Sequence, residues 1–142
     1  MKILVINGPN LNMLGIREPE IYGSMTLGEL NGIVAGEAES LGMETEFFQS
    51  NHEGDIIDKI QENYGKIDGA IINPGAFTHY SYAIRDAIAS VDYPVVEVHL
   101  SDITKREAFR KISVIEEVAA KQIFGKGVGS YLEALNFLVS KH

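Results

Sequence analysis

Glu97 and His99 stand two positions apart in the run Val95-Val96-Glu97-Val98-His99. In an extended strand, residues i and i+2 share a face, so the carboxylate and the imidazole are neighbours. A carboxylate in that position orients the ring and favours its charged form, which makes the pair a candidate for proton transfer. Ser101 and Asp102 follow. A second polar group fills Gly8 to Gly23, GPNLNMLGIREPEIYG, which crowds Asn10, Asn12, Arg17, Glu18, Glu20 and Tyr22 into one connection. A third consists of Asn73 and, a few residues on, His79. Each residue also has a plain structural reading. Asn73 precedes a proline and suits a turn. His79 fits the approach to a helix, Tyr22 can be a surface anchor and Arg17 a solvated cation. Convergence of the three groups is what would turn them into a site.

The elements that must position them follow from apolar periodicity. Ile3-Leu4-Val5-Ile6 within Lys2 to Asn7 is a buried strand, stopped by Gly8-Pro9. Gly8 to Gly23 is too polar and too broken by Gly and Pro for helix or strand, and is expected to be a long irregular loop of the kind that closes over sites. Thr26-Leu27-Gly28-Glu29 has the form of a capping box. It opens a helix with apolar positions at Leu27, Leu30, Val34, Ala38 and Leu41, ended by Gly42. Gly28, Gly32 and Gly36 weaken that helix, and close packing is the expected reason for them.

Met43 to Gln49 alternates and reads as a strand near a sheet edge. Ile56, Ile57, Ile60 and Tyr64 mark a second helix ended by Gly65. Ala70-Ile71-Ile72 is a third strand and Tyr82 to Ala89 a third helix. Pro94 opens a fourth strand, where no ladder N–H is needed. A short helix around Arg106 to Arg110, a weak strand at Ile123-Phe124 and a helix from Leu132 to Val139 complete the chain.

Alternating buried strands and helices imply an α/β fold, a three-layer sandwich around a five-stranded parallel sheet. A flavodoxin-like order, 2-1-3-4-5, is expected, with ligands beyond the C-terminal strand ends. That is where strand one gives Asn7 and Asn10, strand three Asn73 and His79, and strand four Glu97, His99 and Ser101.

The 142 residues suit a single domain spanning 1–142. The composition is 45% hydrophobic and 23% charged, with a net charge of −8. This balance argues against nucleic-acid and anionic-membrane partners, which need a basic face, but not against a small anionic substrate that feels the local field. No cysteine is present, which removes disulfides, thiolate nucleophiles and Cys-based zinc sites. Without a signal-peptide pattern or a span-length apolar run, a soluble cytoplasmic protein is expected. Gly125-Lys126-Gly127-Val128-Gly129-Ser130 lacks the last glycine of a dinucleotide fingerprint and reads as a tight turn into the last helix. His79, Glu97, His99 and Asp102 lack metal-site spacing, so no metal is expected.

Seven stretches in order carry a resemblance: NGPNLNMLG (7–15), REPEIYG (17–23), QSNHEG (49–54), INPGAFTHYSYAIRDA (72–87), EVHLS (97–101), REAFR (106–110) and the closing GxG…SY (125–131). On these the chain resembles the type II 3-dehydroquinate dehydratases from end to end. The resemblance implies a carbon–oxygen lyase that converts 3-dehydroquinate to 3-dehydroshikimate, in the shikimate pathway towards chorismate and the aromatic amino acids. It implies anti elimination through an enolate, with no cofactor, no metal and no Schiff-base lysine.

Carried over to these positions, Tyr22 would be the base and Arg17 would hold it ionised. His99 would protonate the leaving hydroxyl, Glu97 would orient His99, and Asn10 would stabilise the enolate. Asn73, His79, Leu100, Ser101 and Arg110 would hold substrate. Asp86 would reach a neighbouring subunit's site, because the family forms dodecamers built from trimers. The chemistry is coherent. A tyrosine titrates near ~10, so it needs a nearby cation and a dry site to act as a base. A hydroxide leaves poorly and needs an acid. Asp102, where Asn is expected, would add negative charge near the substrate's carboxylate.

The alternative is a flavodoxin-like binding or signalling module without catalysis. A receiver domain wants acidic residues at the end of strand one, where Asn7-Gly8 stands. A flavodoxin wants a Thr/Ser-rich loop there, and GPNLN is not one.

Overall fold

The structure, a computed structural model, describes residues 1–16 and 18–142, with the backbone alone for residues 21 and 22. Five strands, β1 (Lys2–Asn7), β2 (Glu44–Gln49), β3 (Gly69–Asn73), β4 (Val95–His99) and β5 (Lys121–Phe124), form one sheet. All pairings are parallel and the order is β2-β1-β3-β4-β5, as the alternation of elements implies. A short α1 (Pro19–Tyr22) precedes four longer helices, α2 (Leu27–Ser40), α3 (Glu53–Glu62), α4 (Tyr82–Ser90) and α5 (Val128–Lys141).

The period of two along each strand sorts the core into two layers. Ile3 and Val5 of β1, Ile71 of β3 and Val96 and Val98 of β4 pack with Leu30 and Val34 of α2 and Leu135 of α5. Leu4, Ile6, Ala70, Ile72 and Val95 face the other way, onto Ile56 and Ile60 of α3 and Ile84 and Ile88 of α4. Each fully buried aliphatic side chain contributes about 1.5–3 kcal/mol. Glu97 and His99 share the parity of Val95 and so point to the α3/α4 side. β2 lies at the sheet edge, and all six of its residues stay at least partly exposed rather than alternating between buried and exposed.

Several local expectations hold at the level of side chains. Thr26 and Glu29 form the capping box of α2, with the Glu29 N–H donating to Thr26 Oγ1 at 3.1 Å. Others are corrected. The connection from Gly8 to Gly23 is not wholly irregular: Leu11–Met13 is a 3-10 turn and α1 a short helix. Segments of three or four residues are too short to show a period, so they escape pattern reading. α5 begins at Val128, four residues before the expected start at Leu132, because Gly127 turns the chain at φ 57° and the helix follows at once. Arg106 to Arg110 is not one helix; Ile103–Lys105 and Ala108–Arg110 are separate 3-10 turns.

Two glycines close the sheet where the site lies. A Cβ on Gly8 would stand 2.7 Å from the Pro74 carbonyl oxygen, so the ends of β1 and β3 can meet only through a bare backbone. Gly75, at φ 59°, also passes close to Pro9: a Cβ there would stand 3.1 Å from the Pro9 carbonyl oxygen. Among the described residues no helix is long and apolar enough to cross a membrane.

The glycines of α2 do not serve close packing. A Cβ added at Gly32 or Gly36 meets nothing within 4 Å, and one at Gly28 meets only Thr26 Oγ1, at 3.9 Å. Gly32→Ala and Gly36→Ala should therefore each stabilise the fold by about 0.5–1 kcal/mol, by restricting the unfolded chain. Denaturant unfolding midpoints check this; a lower midpoint for either variant would show a packing role.

Candidate active site

A cleft opens beyond the C-terminal ends of β1, β3 and β4. It is lined by Asn10 and Leu11 after β1, by Asn73, Gly75 and His79 at and after β3, and by His99, Leu100 and Ser101 at the end of β4. Arg106 and Arg110 complete its wall. Asn10 of the second group, Asn73 and His79 of the third, and His99 and Ser101 at the end of β4 therefore converge.

Glu97 is fully buried, and His99 is 6% exposed. His99 Nε2 lies 2.6 Å from Glu97 Oε2. The carboxylate also accepts from Thr78 Oγ1 at 2.5 Å, from Ser113 Oγ at 2.9 Å and from Gln122 Nε2 at 3.2 Å. Burial alone would raise the Glu97 carboxyl. The hydrogen bond and charge of His99, with the hydroxyls of Thr78 and Ser113, outweigh burial and hold it below the ordinary carboxylate range.

His79 Nδ1 sits 2.7 Å from the Ile112 carbonyl oxygen, which can only accept, so Nδ1 carries the proton. Burial lowers the affinity of His79 for a second proton, and the charges of His99 and Arg110 add to this against the Ile112 bond. A neutral His79 then keeps the Nε2 lone pair as an acceptor.

Asn10 adopts a left-handed backbone, φ 70°, which Asn tolerates better than most residues. Its N–H donates to Asn51 Oδ1 at 2.9 Å, and Gln49 Nε2 donates to the Gly8 carbonyl at 3.1 Å. The Gln49-Ser50-Asn51 stretch thus braces the loop that carries Asn10. Asn73 is fixed from both ends of its amide: Nδ2 donates to Tyr131 Oη at 3.0 Å and Oδ1 accepts from the Gly75 N–H at 3.1 Å. Tyr131 in turn donates to Asn7 Oδ1 at 2.5 Å. Burial pushes the Tyr131 phenol far above its ordinary range, so it stays protonated and keeps this directed chain intact.

Arg110 stacks on Phe109 at 4.8 Å, and its Nε lies 2.7 Å from the Glu107 carboxylate. Asp86 is exposed on α4 and does not line this cleft. Asp102 is not a cleft residue either. Its carboxylate caps the Ile103–Lys105 turn, accepting from the Thr104 N–H at 2.9 Å and Thr104 Oγ1 at 2.5 Å. Arg17 and the side chain of Tyr22 lie outside the described residues. Among the described residues no group of three or more His, Asp or Glu is arranged to hold a metal ion.

Sequence reasoning missed Arg106, Thr78, Ser113, Gln122 and Tyr131 as contributors. Arg106, Thr78 and Tyr131 lie in stretches that carry the resemblance, which gives them no role. All but Arg106 are ordinary polar residues whose partners lie 16 to 124 positions away.

The family model for class II dehydroquinase matches residues 1–139. A 3-dehydroquinate dehydratase of Caldicellulosiruptor bescii is 58% identical over 135 residues, covering 94% of this chain and 93% of that one. A 3-dehydroquinate dehydratase of Bacillus cereus is 56% identical over 140 residues, covering 99% and 96%. The crystal structure of a type II dehydroquinase from Butyrivibrio crossotus superposes with a TM-score of 0.95 at 56% identity, over 97% of each chain. One from Propionibacterium acnes gives the same TM-score at 38% identity, covering 98% of this chain and 96% of that one. The chain belongs to the class II dehydroquinase family.

Tyr131→Phe removes the hydroxyl that joins Asn73 to Asn7 and leaves two buried amides short of a partner. It should destabilise the protein by about 1–3 kcal/mol. Equilibrium unfolding of the variant measures this, and an unchanged stability would mean that water replaces the hydroxyl.

Proposed function

We propose that the protein dehydrates 3-dehydroquinate to 3-dehydroshikimate, the shikimate-pathway step towards chorismate. The observation that carries the reading is the buried Glu97–His99 pair at the wall of a cleft that also holds Arg106 and Arg110, in a chain whose relatives are named for this reaction.

In the proposed route Tyr22 takes the proton alpha to the ketone, with Arg17 holding it as a phenolate. The electron pair moves into the carbonyl to give an enolate, which Asn10 stabilises by donating to the oxyanion. The enolate collapses, the carbon–oxygen bond beta to the ketone breaks, and His99 protonates the departing hydroxyl so that water leaves. Tyr22 then gives its proton to solvent and His99 regains one, so that both groups are reset and the conjugated enone remains.

Base and acid act from opposite faces, which makes the elimination anti. Glu97 orients His99. Asn73, Ser101, the Leu100 backbone, Arg110 and neutral His79 hold the substrate's carboxylate and hydroxyls. The two arginines of the cleft suit that anion. Both proton-transfer groups come from the protein, so the route needs neither metal nor cofactor. The working enzyme in this reading is a cytoplasmic dodecamer of trimers, with Asp86 presented to a neighbouring subunit.

Purified protein mixed with 3-dehydroquinate should show rising ultraviolet absorbance from the conjugated enone, and chelator should not change the rate. No product would sink the assignment, and loss of activity with chelator would refute the metal-free route. Tyr22→Phe should abolish turnover while product-analogue binding, measured by calorimetry, stays within a few-fold of the parent. Near-normal turnover in that variant would remove Tyr22 from its role.

A further inference from the structure

Glu97 is enclosed by donors that come from elements far apart in sequence. An ionised carboxylate accepts at about four lone-pair sites and cannot donate. Four donors meet it: the Thr78 hydroxyl after β3, the Ser113 hydroxyl in the irregular segment before β5, the Gln122 amide on β5 and the His99 ring on β4. Thr78 Oγ1 and Ser113 Oγ also lie 3.0 Å apart, but each hydroxyl has a single proton and both are directed at the carboxylate. Ser113 Oγ is itself fixed as an acceptor from the N–H groups of Ile115 at 3.2 Å and Glu116 at 3.1 Å. A protonated Glu97 would place its own O–H against one of these donors.

We propose that Thr78, Ser113 and Gln122 are positioning residues that hold Glu97 as an anion and thereby make His99 a proton donor through Nδ1. Use of that proton rests on the dehydratase reading, whereas its source follows from the geometry. Because Glu97 can only accept, His99 Nε2 must donate to it. A neutral ring would then present Nδ1 as a bare lone pair, unable to protonate a leaving group. Nδ1 has no protein partner among the described residues, and the ring lines the cleft.

A charged His99 ring would be paired with the buried anion 2.6 Å away. The charged groups of the cleft wall, Arg106 and Arg110, oppose it, and neutral His79 does not help. On α4 the nearest cation, Arg85, is turned to the Val114 carbonyl and Glu117 instead. On β5, Gln122 is uncharged. The three donors give the anion the solvation that water would otherwise supply, and so keep it ionised beside His99.

The test is ring-carbon NMR of protein labelled with ¹³C-histidine, with His99 assigned by its loss in His99→Asn. In the substrate-free enzyme, Thr78→Val and Gln122→Met should each leave His99 with roughly tenfold weaker proton affinity. Thr78→Ser, which keeps the hydroxyl, should restore the parent titration. In turnover, kcat should fall in the Val variant while KM changes little. A His99 titration unchanged in both Thr78→Val and Gln122→Met, or shifted as far in Thr78→Ser as in Thr78→Val, overturns the proposal. If Thr78→Val fails to fold, Ser113→Ala takes its place under the same criterion. The NMR reading does not use substrate, so failure of the dehydratase assignment would appear separately, as a parent protein with a coupled His99 and no turnover.

Discussion

A carboxylate removed from water is costly by several kcal/mol unless donors replace the lost hydration, and Glu97 is such a group. Its donors fix more than the carboxylate. Thr78 ties it to the turn after β3, Gln122 to β5, and Ser113 to a stretch between β4 and β5 that has no regular secondary structure. That stretch is held further by the Val114 N–H on the Thr78 carbonyl at 2.8 Å and by Arg85 on the Val114 carbonyl at 2.8 Å. It also supplies the Ile112 carbonyl that sets the tautomer of His79. A requirement of one buried charge thus fixes the wall of the cleft on which His79 and His99 lie.

The opposite wall is built on neutral hydrogen bonds. Asn7, Tyr131 and Asn73 form a directed chain across the ends of β1 and β3, where bare glycine backbones meet. Gln49 and Asn51 extend it to the left-handed turn at Asn10. Neutral bonds of this kind contribute about 1 kcal/mol each, less than the charge-assisted bonds around Glu97. The contrast suits the parts proposed for the two walls. An acid whose protonation depends on its neighbour needs a buried charge. An oxyanion donor and a substrate clamp need direction, which amides supply without a second ionised group.

How much of this was legible in the sequence depends on the range of the interactions. Strand positions such as Ile71 and Val96 are continuous apolar runs between turn signals, and the capping box at Thr26 lies within four residues. The Glu97–His99 contact is local as well, since a period of two settles it. Ser113, Gln122 and Tyr131 were not legible as parts of the site, because nothing near them in sequence distinguishes a hydroxyl or amide facing a buried carboxylate from one facing water. Gly32 and Gly36 misled in the other direction. Their spacing looks like a packing face, yet both point into open space. Short 3-10 turns lack a period, and the start of α5 is set by the backbone of Gly127 rather than by a polar cap.

Net charge and local field part company in this molecule. The chain carries −8 overall, yet two arginines line its cleft, and Asp102, next in sequence to the cleft residue Ser101, is turned into a local cap. At physiological salt, exposed charges beyond about 8 Å are screened, so the acidic exterior contributes little at the cleft. Glu97 is close enough to matter, but its charge is taken up by four donors, His99 among them. An anion entering the cleft therefore meets Arg106, Arg110 and the ring of His99 rather than the average charge of the protein. That separation lets an acidic protein bind a carboxylate beside a buried carboxylate of its own.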